Sequence, residues 1–386
     1  MANNNQHSML DKTVKTPCSV NEYCSGCQYW SLDYSAQAIL KTQELRKLLN
    51  EKSIQTPEII DFLSSGTAFL RDRLDFSFEN KAFGLYKKNT KEILDIAECA
   101  QLSPVLQEWL TEVRKISWPF NKGSIRLRVG PQGQRGIWLD LANWDIKALL
   151  DEKTILLALM AQSHVEIGQR RKTPILMNNK LKLEDPIQSI WFQTWVGEQS
   201  VDLYCQVASF TQPSLKANKV ICNKISEWIA DFPQARVIEF GSGIGNLTFP
   251  AAITAKSVLA CEIDRLSLEG LQASLSNLPK DLIYLRDKIK IHAGDFQKKI
   301  KQDFSEFDGV LANPPRSGLM GFLDSLGNLE AHQRPSFFIY MSCFPETLAQ
   351  DLVRLNQFGY QIQKICIVDQ FPQTKHFEVI TLLQRK

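Results

Sequence analysis

From about residue 206 to the end of the chain, short apolar runs alternate with stretches whose apolar residues recur at helical spacing, the pattern of a doubly wound α/β fold with a parallel-dominated sheet. Ala235 to Phe240 reads as a buried strand entering the turn Gly241-Ser-Gly243-Ile-Gly245-Asn246, and Leu247 to Ala255 can follow as a helix. Further strands are predicted at Ser257 to Ile263, Ile289 to Phe296, Asp308 to Asn313, Phe337 to Ser342 and Val379 to Leu383. Upstream, residues 61–205 have a mixed α/β pattern. Gly123 to Val129 alternates Ile125, Leu127 and Val129 with Arg126 and Arg128, and Gly136 to Leu141 follows a Gly-Pro-Gln-Gly turn, which predicts a hairpin with arginines on one face. Residues 18–60 combine a cysteine-rich opening with a helix from Ser35 to Lys52, whose apolar residues are Ile39, Leu40, Leu45, Leu48 and Leu49.

The 386 residues, 44% hydrophobic and 23% charged, have the composition of a globular protein of two or three domains. A net charge of +3 is too mild to select a partner. Residues 1–17 are expected to be a disordered leader, too polar for a secretion signal. No run approaches the roughly 18 apolar residues that cross a bilayer. The expectation is a soluble, cytoplasmic monomer without membrane contact, whose nine cysteines are thiols or metal ligands rather than disulfides.

The candidate chemistry gathers where the later strands end. A glycine turn after a first strand lets a ligand approach the backbone, but by itself it is compatible with a dinucleotide, S-adenosylmethionine or no ligand. Glu262, 21 residues beyond Gly241, can accept hydrogen bonds from ribose hydroxyls. Asp295 and Asn313 end the next two strands, at the sheet edge where such folds bind ligands. Asn313-Pro314-Pro315 points to a methyltransferase; enzymes that methylate exocyclic base nitrogens usually place an aromatic residue next, and here it is Arg316. Phe337 to Ser342 delivers Cys343 to the same edge, and Phe371-Pro-Gln-Thr374-Lys-His376-Phe-Glu378 precedes the closing strand.

Gly-x-Gly-Asn, Asn-Pro-Pro-Arg-x-Gly, Ser-Cys-x-Pro-x-Thr and Phe-Pro-x-Thr-x-His-x-Glu, in this order, resemble the RNA uracil-5-methyltransferase family. The similarity covers residues 18–386. It implies a Rossmann-like class I methyltransferase domain over 206–386 and a central RNA-binding domain over 61–205, which opens near Arg71-Asp-Arg73. It also implies that Gln212, Gly241, Gly243, Asn246, Glu262, Asp295 and Asn313 hold S-adenosylmethionine. Cys18-x5-Cys24-x2-Cys27 with the distant Cys99 resembles the ligands of a [4Fe-4S] cluster in the branch that modifies 23S ribosomal RNA and lacks the amino-terminal TRAM barrel, although four thiolates could also bind zinc.

In the implied reaction Cys343 adds to uracil carbon 6, carbon 5 takes the methyl group, and Glu378 removes the carbon 5 proton. Arg71, Arg73, Arg126 and Arg128 are expected to grip RNA phosphates. The chain departs from the family pattern at Glu239-Phe-Gly241-Ser242-Gly243 and at Phe344, where the family has asparagine. Those departures leave open a catalytically silent RNA-binding or assembly factor, and a base-nitrogen methyltransferase is the other alternative.

Overall fold

The computed structural model describes residues 17–141, 144–168, 171–295 and 304–385. The expected leader, except Pro17, lies outside them, as does Phe296 at the end of its predicted strand. The cysteine-rich opening leads to α1 (Tyr34–Glu51) and β1 (Asp61–Ser64). A six-stranded sheet follows, ordered β4-β3-β2-β5-β6-β7, with β2 (Arg73–Glu79), β3 (Ala82–Tyr86), β4 (Ile93–Asp95), β5 (Lys122–Val129), β6 (Arg135–Asp140) and β7 (His164–Ile167). The predicted hairpin is β5–β6, with Arg126 opposite Trp138. Helix α2 (Pro104–Val113) starts with proline in its first turn, where the missing N–H costs nothing, and buries Leu106, Trp109, Leu110 and Val113. Helices α3 (Ile146–Asp151) and α4 (Lys153–Met160) and the hairpins β8 (Thr173–Met177) to β9 (Lys180–Glu184) and β10 (Ser189–Val196) to β11 (Gln199–Cys205) complete this part.

The carboxy-terminal part is built from α5 (Leu215–Ile229), β12 (Arg236–Phe240), α6 (Thr248–Ala252), β13 (Ser257–Glu262), α7 (Arg265–Ser276), α8 (Leu285–Lys288), β14 (Ile289–Ala293), β15 (Gly309–Ala312), α9 (Gly321–Gly327), β16 (Phe337–Ser342), α10 (Pro345–Gln357), β17 (Tyr360–Asp369) and β18 (Glu378–Arg385). Its eight-stranded sheet has the order β1-β17-β18-β16-β15-β12-β13-β14. Strands β12 to β16 pair in parallel, whereas β18 runs antiparallel between β16 and β17. Every residue of β15 and β16 is buried, as expected for central strands covered on both faces. One core includes Ile221 and Ile225 of α5 with Val237 and Ile339; the other includes Leu45 and Leu49 of α1 with Phe322, Leu352 and Phe338. The α/β fold with a parallel-dominated sheet is therefore borne out. No helix among the described residues is long and apolar enough to cross a membrane.

Helix α1 corrects one expectation. Its buried face is Gln37, Lys41, Leu45 and Leu49, while Ile39 and Leu40 are exposed. The i, i+4 row is half polar because its first two turns cover the backbone and carboxylate of residues 369–373, which need hydrogen-bond partners rather than methyl groups.

Candidate active site

The glycine turn follows β12 directly, and Gly241, Gly243 and Gly245 all have positive φ, at 70°, 56° and 94°. Gly241 and Ser242 donate to the Cys261 carbonyl, which ties the turn to the end of β13. A Cβ on Gly243 would meet nothing within 4 Å, so the backbone is open to a ligand on that side. At the end of β13, Glu262 accepts hydrogen bonds from the N–H groups of Gly243 (2.9 Å), Ile263 (2.7 Å) and Asp264 (2.8 Å). The predicted ribose acceptor thus also holds the glycine turn. Asp295 and Asn313 lie just past β14 and β15, at the same carboxyl edge.

Asn246 is placed differently from the other cofactor candidates. Its amide and that of Asn218 on α5 exchange two hydrogen bonds at 2.7 Å, so the side chain is turned to the helix. Gln212 is buried in the connection from β11 to α5, which the central part holds in place. Asp72 N–H donates to the Pro213 carbonyl, Asp72 Oδ2 accepts from Leu215 N–H, and Glu166 accepts from Val207 and Ala208 N–H.

The arginines of the hairpin do the same work, which corrects their expected role on RNA phosphates. Arg128 is 1% exposed and donates to the carbonyls of Trp191, Gln206, Val207 and Ser209 and to Thr211 Oγ1. Arg126 pairs with Asp75, lies over the Trp138 ring and donates to the Ala208 carbonyl. Neither guanidinium is free for a phosphate.

Cys343 follows β16 and precedes α10 by two residues. The antiparallel register that pairs Ser342 with Val379 brings Glu378, the first residue of β18, beside it. Burial raises the Cys343 thiol above its ordinary range, the Glu378 charge adds to the rise, and the Arg316 guanidinium opposes it. Glu378 is 3% exposed, and burial pushes its carboxyl up to about 8 against the opposing effects of Gln370 and Arg316. Gln370 Nε2 donates to Glu378 Oε1 at 2.6 Å. His376 is exposed at the rim. Sequence reasoning missed Gln370, whose only signal was its place one residue before the Phe371-Pro motif.

Cys18, Cys24, Cys27 and Cys99 line one cavity of about 200 Å3 together with Arg71, Trp30 and Leu74. Cys24 Sγ accepts a hydrogen bond from Gly26 N–H at 3.3 Å. Burial raises the Cys27 thiol to about 12, and Cys99 adds to the rise while Arg71 opposes it. Among the described residues no three His, Cys, Asp or Glu side chains form a ready site for a metal ion. The same segment touches the active-site loop, because Gln28 and Tyr29 N–H donate to the Gln373 carbonyl at 2.8 and 2.9 Å.

The family model described as tRNA (uracil-5-)-methyltransferase matches residues 180–386. An uncharacterized RNA methyltransferase of Bdellovibrio bacteriovorus is 57% identical over the full length of both chains. The 23S rRNA (uracil(1939)-C(5))-methyltransferase RlmD of Vibrio parahaemolyticus is 26% identical over 97% of this chain and 83% of its own. In structure, the Pyrococcus abyssi tRNA (uracil-54, C5)-methyltransferase, solved with S-adenosyl-L-homocysteine, superposes with a TM-score of 0.66 and 19% identity over 93% of this chain and 86% of that one. The Rossmann-like class I methyltransferase fold is the shared feature.

Proposed function

Because the chain belongs to the tRNA (uracil-5-)-methyltransferase family, we propose that it forms 5-methyluridine in 23S ribosomal RNA, with Cys343 as nucleophile and Glu378 as base. The observation that carries this reading is the meeting of Cys343 and Glu378 across β16 and β18, next to the sheet edge that holds the glycine turn and Glu262.

S-adenosylmethionine would supply the methyl group, and Gln212, Gly241, Gly243, Glu262, Asp295 and Asn313 are the residues proposed to hold it, with Asn246 bracing the turn through Asn218. Carbon 5 of uracil is a poor nucleophile. The Cys343 thiolate adds to carbon 6, forming a sulfur–carbon bond and moving the carbon–carbon π electrons into an enolate that makes carbon 5 reactive. After carbon 5 is methylated, Glu378 takes its proton, the released electron pair restores the ring double bond, and the sulfur–carbon bond breaks to return the thiolate. Burial suits the base, since it excludes water and raises the carboxyl into a working range, whereas it disfavours the Cys343 thiolate, which the Arg316 guanidinium favours. A paired uracil cannot present carbon 6 to a thiol, so the target nucleotide is unpaired or flipped out.

A [4Fe-4S] cluster held by Cys18, Cys24, Cys27 and Cys99 is part of the proposal; what favours it is that the four cysteines line one cavity, although their side chains do not form a ready metal site as they stand. Such a group would offset much of the charge of four neighbouring thiolates and would tie the amino-terminal segment to Cys99. Ribosomal rather than transfer RNA is the proposed target because the 23S rRNA methyltransferase RlmD matches 97% of this chain in sequence.

The test is a methyl-transfer assay with labelled cofactor on unmodified RNA. Cys343→Ala is expected to lose both turnover and the covalent RNA complex while still binding cofactor. Glu378→Gln is expected to trap a methylated RNA adduct that survives a denaturing gel. Methylation by Cys343→Ala would overturn the assignment, and so would equal adducts in the two variants. Methylation of transfer RNA without ribosomal RNA would overturn the target.

A further inference from the structure

Gln370 follows β17 and Glu378 opens β18, so the antiparallel turn between those strands brings their side chains together. Gln370 is 1% exposed, and its Nε2 donates to Glu378 Oε1 at 2.6 Å. The opposite atoms of both groups, Gln370 Oε1 and Glu378 Oε2, are buried and have no hydrogen-bond partner. A buried polar atom without a hydrogen bond destabilises the fold, so each such atom in a native structure calls for an explanation. Here two acceptors face burial without a donor. What the pair lacks is one proton, and in the proposed reaction Glu378 receives one proton.

Resting on the reading of Glu378 as the base, we propose that Gln370 is its positioning residue. The amide N–H pins Oε1 and leaves Oε2 as the oxygen that meets the carbon 5 proton, and the amide oxygen accepts that proton's hydrogen bond after transfer. In that step the bond from carbon 5 to hydrogen breaks, and its electron pair restores the double bond to carbon 6. The bond from carbon 6 to Cys343 sulfur breaks with its electrons returning to sulfur, and the proton stays on Glu378 within reach of Gln370. Gln370 itself makes no contact with the reacting carbon. The charged and titratable groups that act on Glu378 from the other packed elements are Cys343 after β16 and Arg316 after β15.

Steady-state turnover together with gel analysis of the RNA adduct, followed from about pH 6 to 10, separates this role from simple packing. Gln370→Met keeps the length of the side chain and removes both hydrogen bonds. It is expected to lower kcat about tenfold or more, leave KM for RNA and cofactor unchanged, move the rising limb of the pH profile upward and let methylated RNA adduct accumulate before release. Gln370→Glu has the same shape and guards against a folding defect; a second carboxyl beside Glu378 should move the limb upward too. If folded Gln370→Met or Gln370→Glu keeps the wild-type limb and shows no adduct while Glu378→Gln traps one, the inference about Gln370 is wrong and the base stands. If Glu378→Gln traps no adduct, the base assignment falls and this inference falls with it.

Discussion

Lys41 and Asp369 form an ion pair at 2.8 Å in which both side chains are fully buried, although 328 residues separate them in the chain. The carboxylate also accepts from Tyr34 Oη at 2.9 Å and from Phe371 N–H at 3.2 Å, and Lys41 donates to the Phe371 carbonyl at 3.1 Å. One helical turn earlier, Gln37 exchanges hydrogen bonds with Gln373 at 2.8 and 3.0 Å. Helix α1 therefore clamps the loop that connects β17 to Glu378.

Breaking the buried pair from one side should be costly, because the remaining carboxylate keeps its charge without its cation. Lys41→Met is expected to lower stability by about 3–5 kcal/mol, read by denaturant unfolding. The double variant Lys41→Met with Asp369→Leu should recover only part of that loss, because Tyr34 Oη and Phe371 N–H then lose their acceptor. A Lys41→Met protein as stable as wild type would show that the pair contributes little to holding the loop.

Glu262 is engaged by three backbone N–H groups, one of them from the glycine turn. Its removal should loosen the turn as well as delete an acceptor for a ribose. Glu262→Ala is expected to weaken S-adenosylhomocysteine binding about tenfold or more by titration calorimetry, the scale of one or two lost hydrogen bonds. Unchanged affinity in a folded variant would contradict the placement of the cofactor at this edge.

The pH dependence follows from burial. A base acts only when unprotonated, and Glu378 is held up to about 8, so product release should be slow in mild acid and rise with pH toward a plateau above that value. The raised Cys343 thiol acts in the same direction. Stability has the opposite sign. The folded state favours the protonated carboxyl, so the contribution of Glu378 is fully present below its ordinary 4.5 and is lost as pH rises toward about 8. Glu378→Gln should therefore melt higher than wild type at pH 9 and lose that advantage near pH 4.5. A melting difference that does not change with pH would remove burial of the charge as the cause.

Iron content tests the cysteine cavity directly. Protein purified without oxygen should contain about four irons per chain. Cys27→Ser should lose most of them, since Cys27 lines the cavity with the other three cysteines. Stoichiometric zinc with no iron would assign the four thiols to the other metal.

Much of the site was legible in the sequence because its signals are local. A glycine turn needs contiguous residues with positive φ, and a strand that ends in Cys343 or begins at Glu378 shows itself by its own apolar run. The positions of most strands along the chain, the glycine turn and the two proposed reacting side chains follow from such stretches, whereas the sheet order, with β1 beside β17, does not. Which polar groups are buried together does not. Lys41 lies on a helix whose periodicity pointed to Ile39 and Leu40, and only the distant loop at Asp369 makes a lysine the better residue there. Arg126 and Arg128 alternate with apolar residues as solvent-facing arginines would, yet the β11–α5 connection lies across that face and takes their hydrogen bonds. Asn246 belongs to the expected motif but meets Asn218, and Gln370 lies outside the named motif yet meets Glu378. In each case the deciding quantity is the cost of removing a polar group from water, which is set by partners far away in the chain and exists only once the tertiary structure has brought them together.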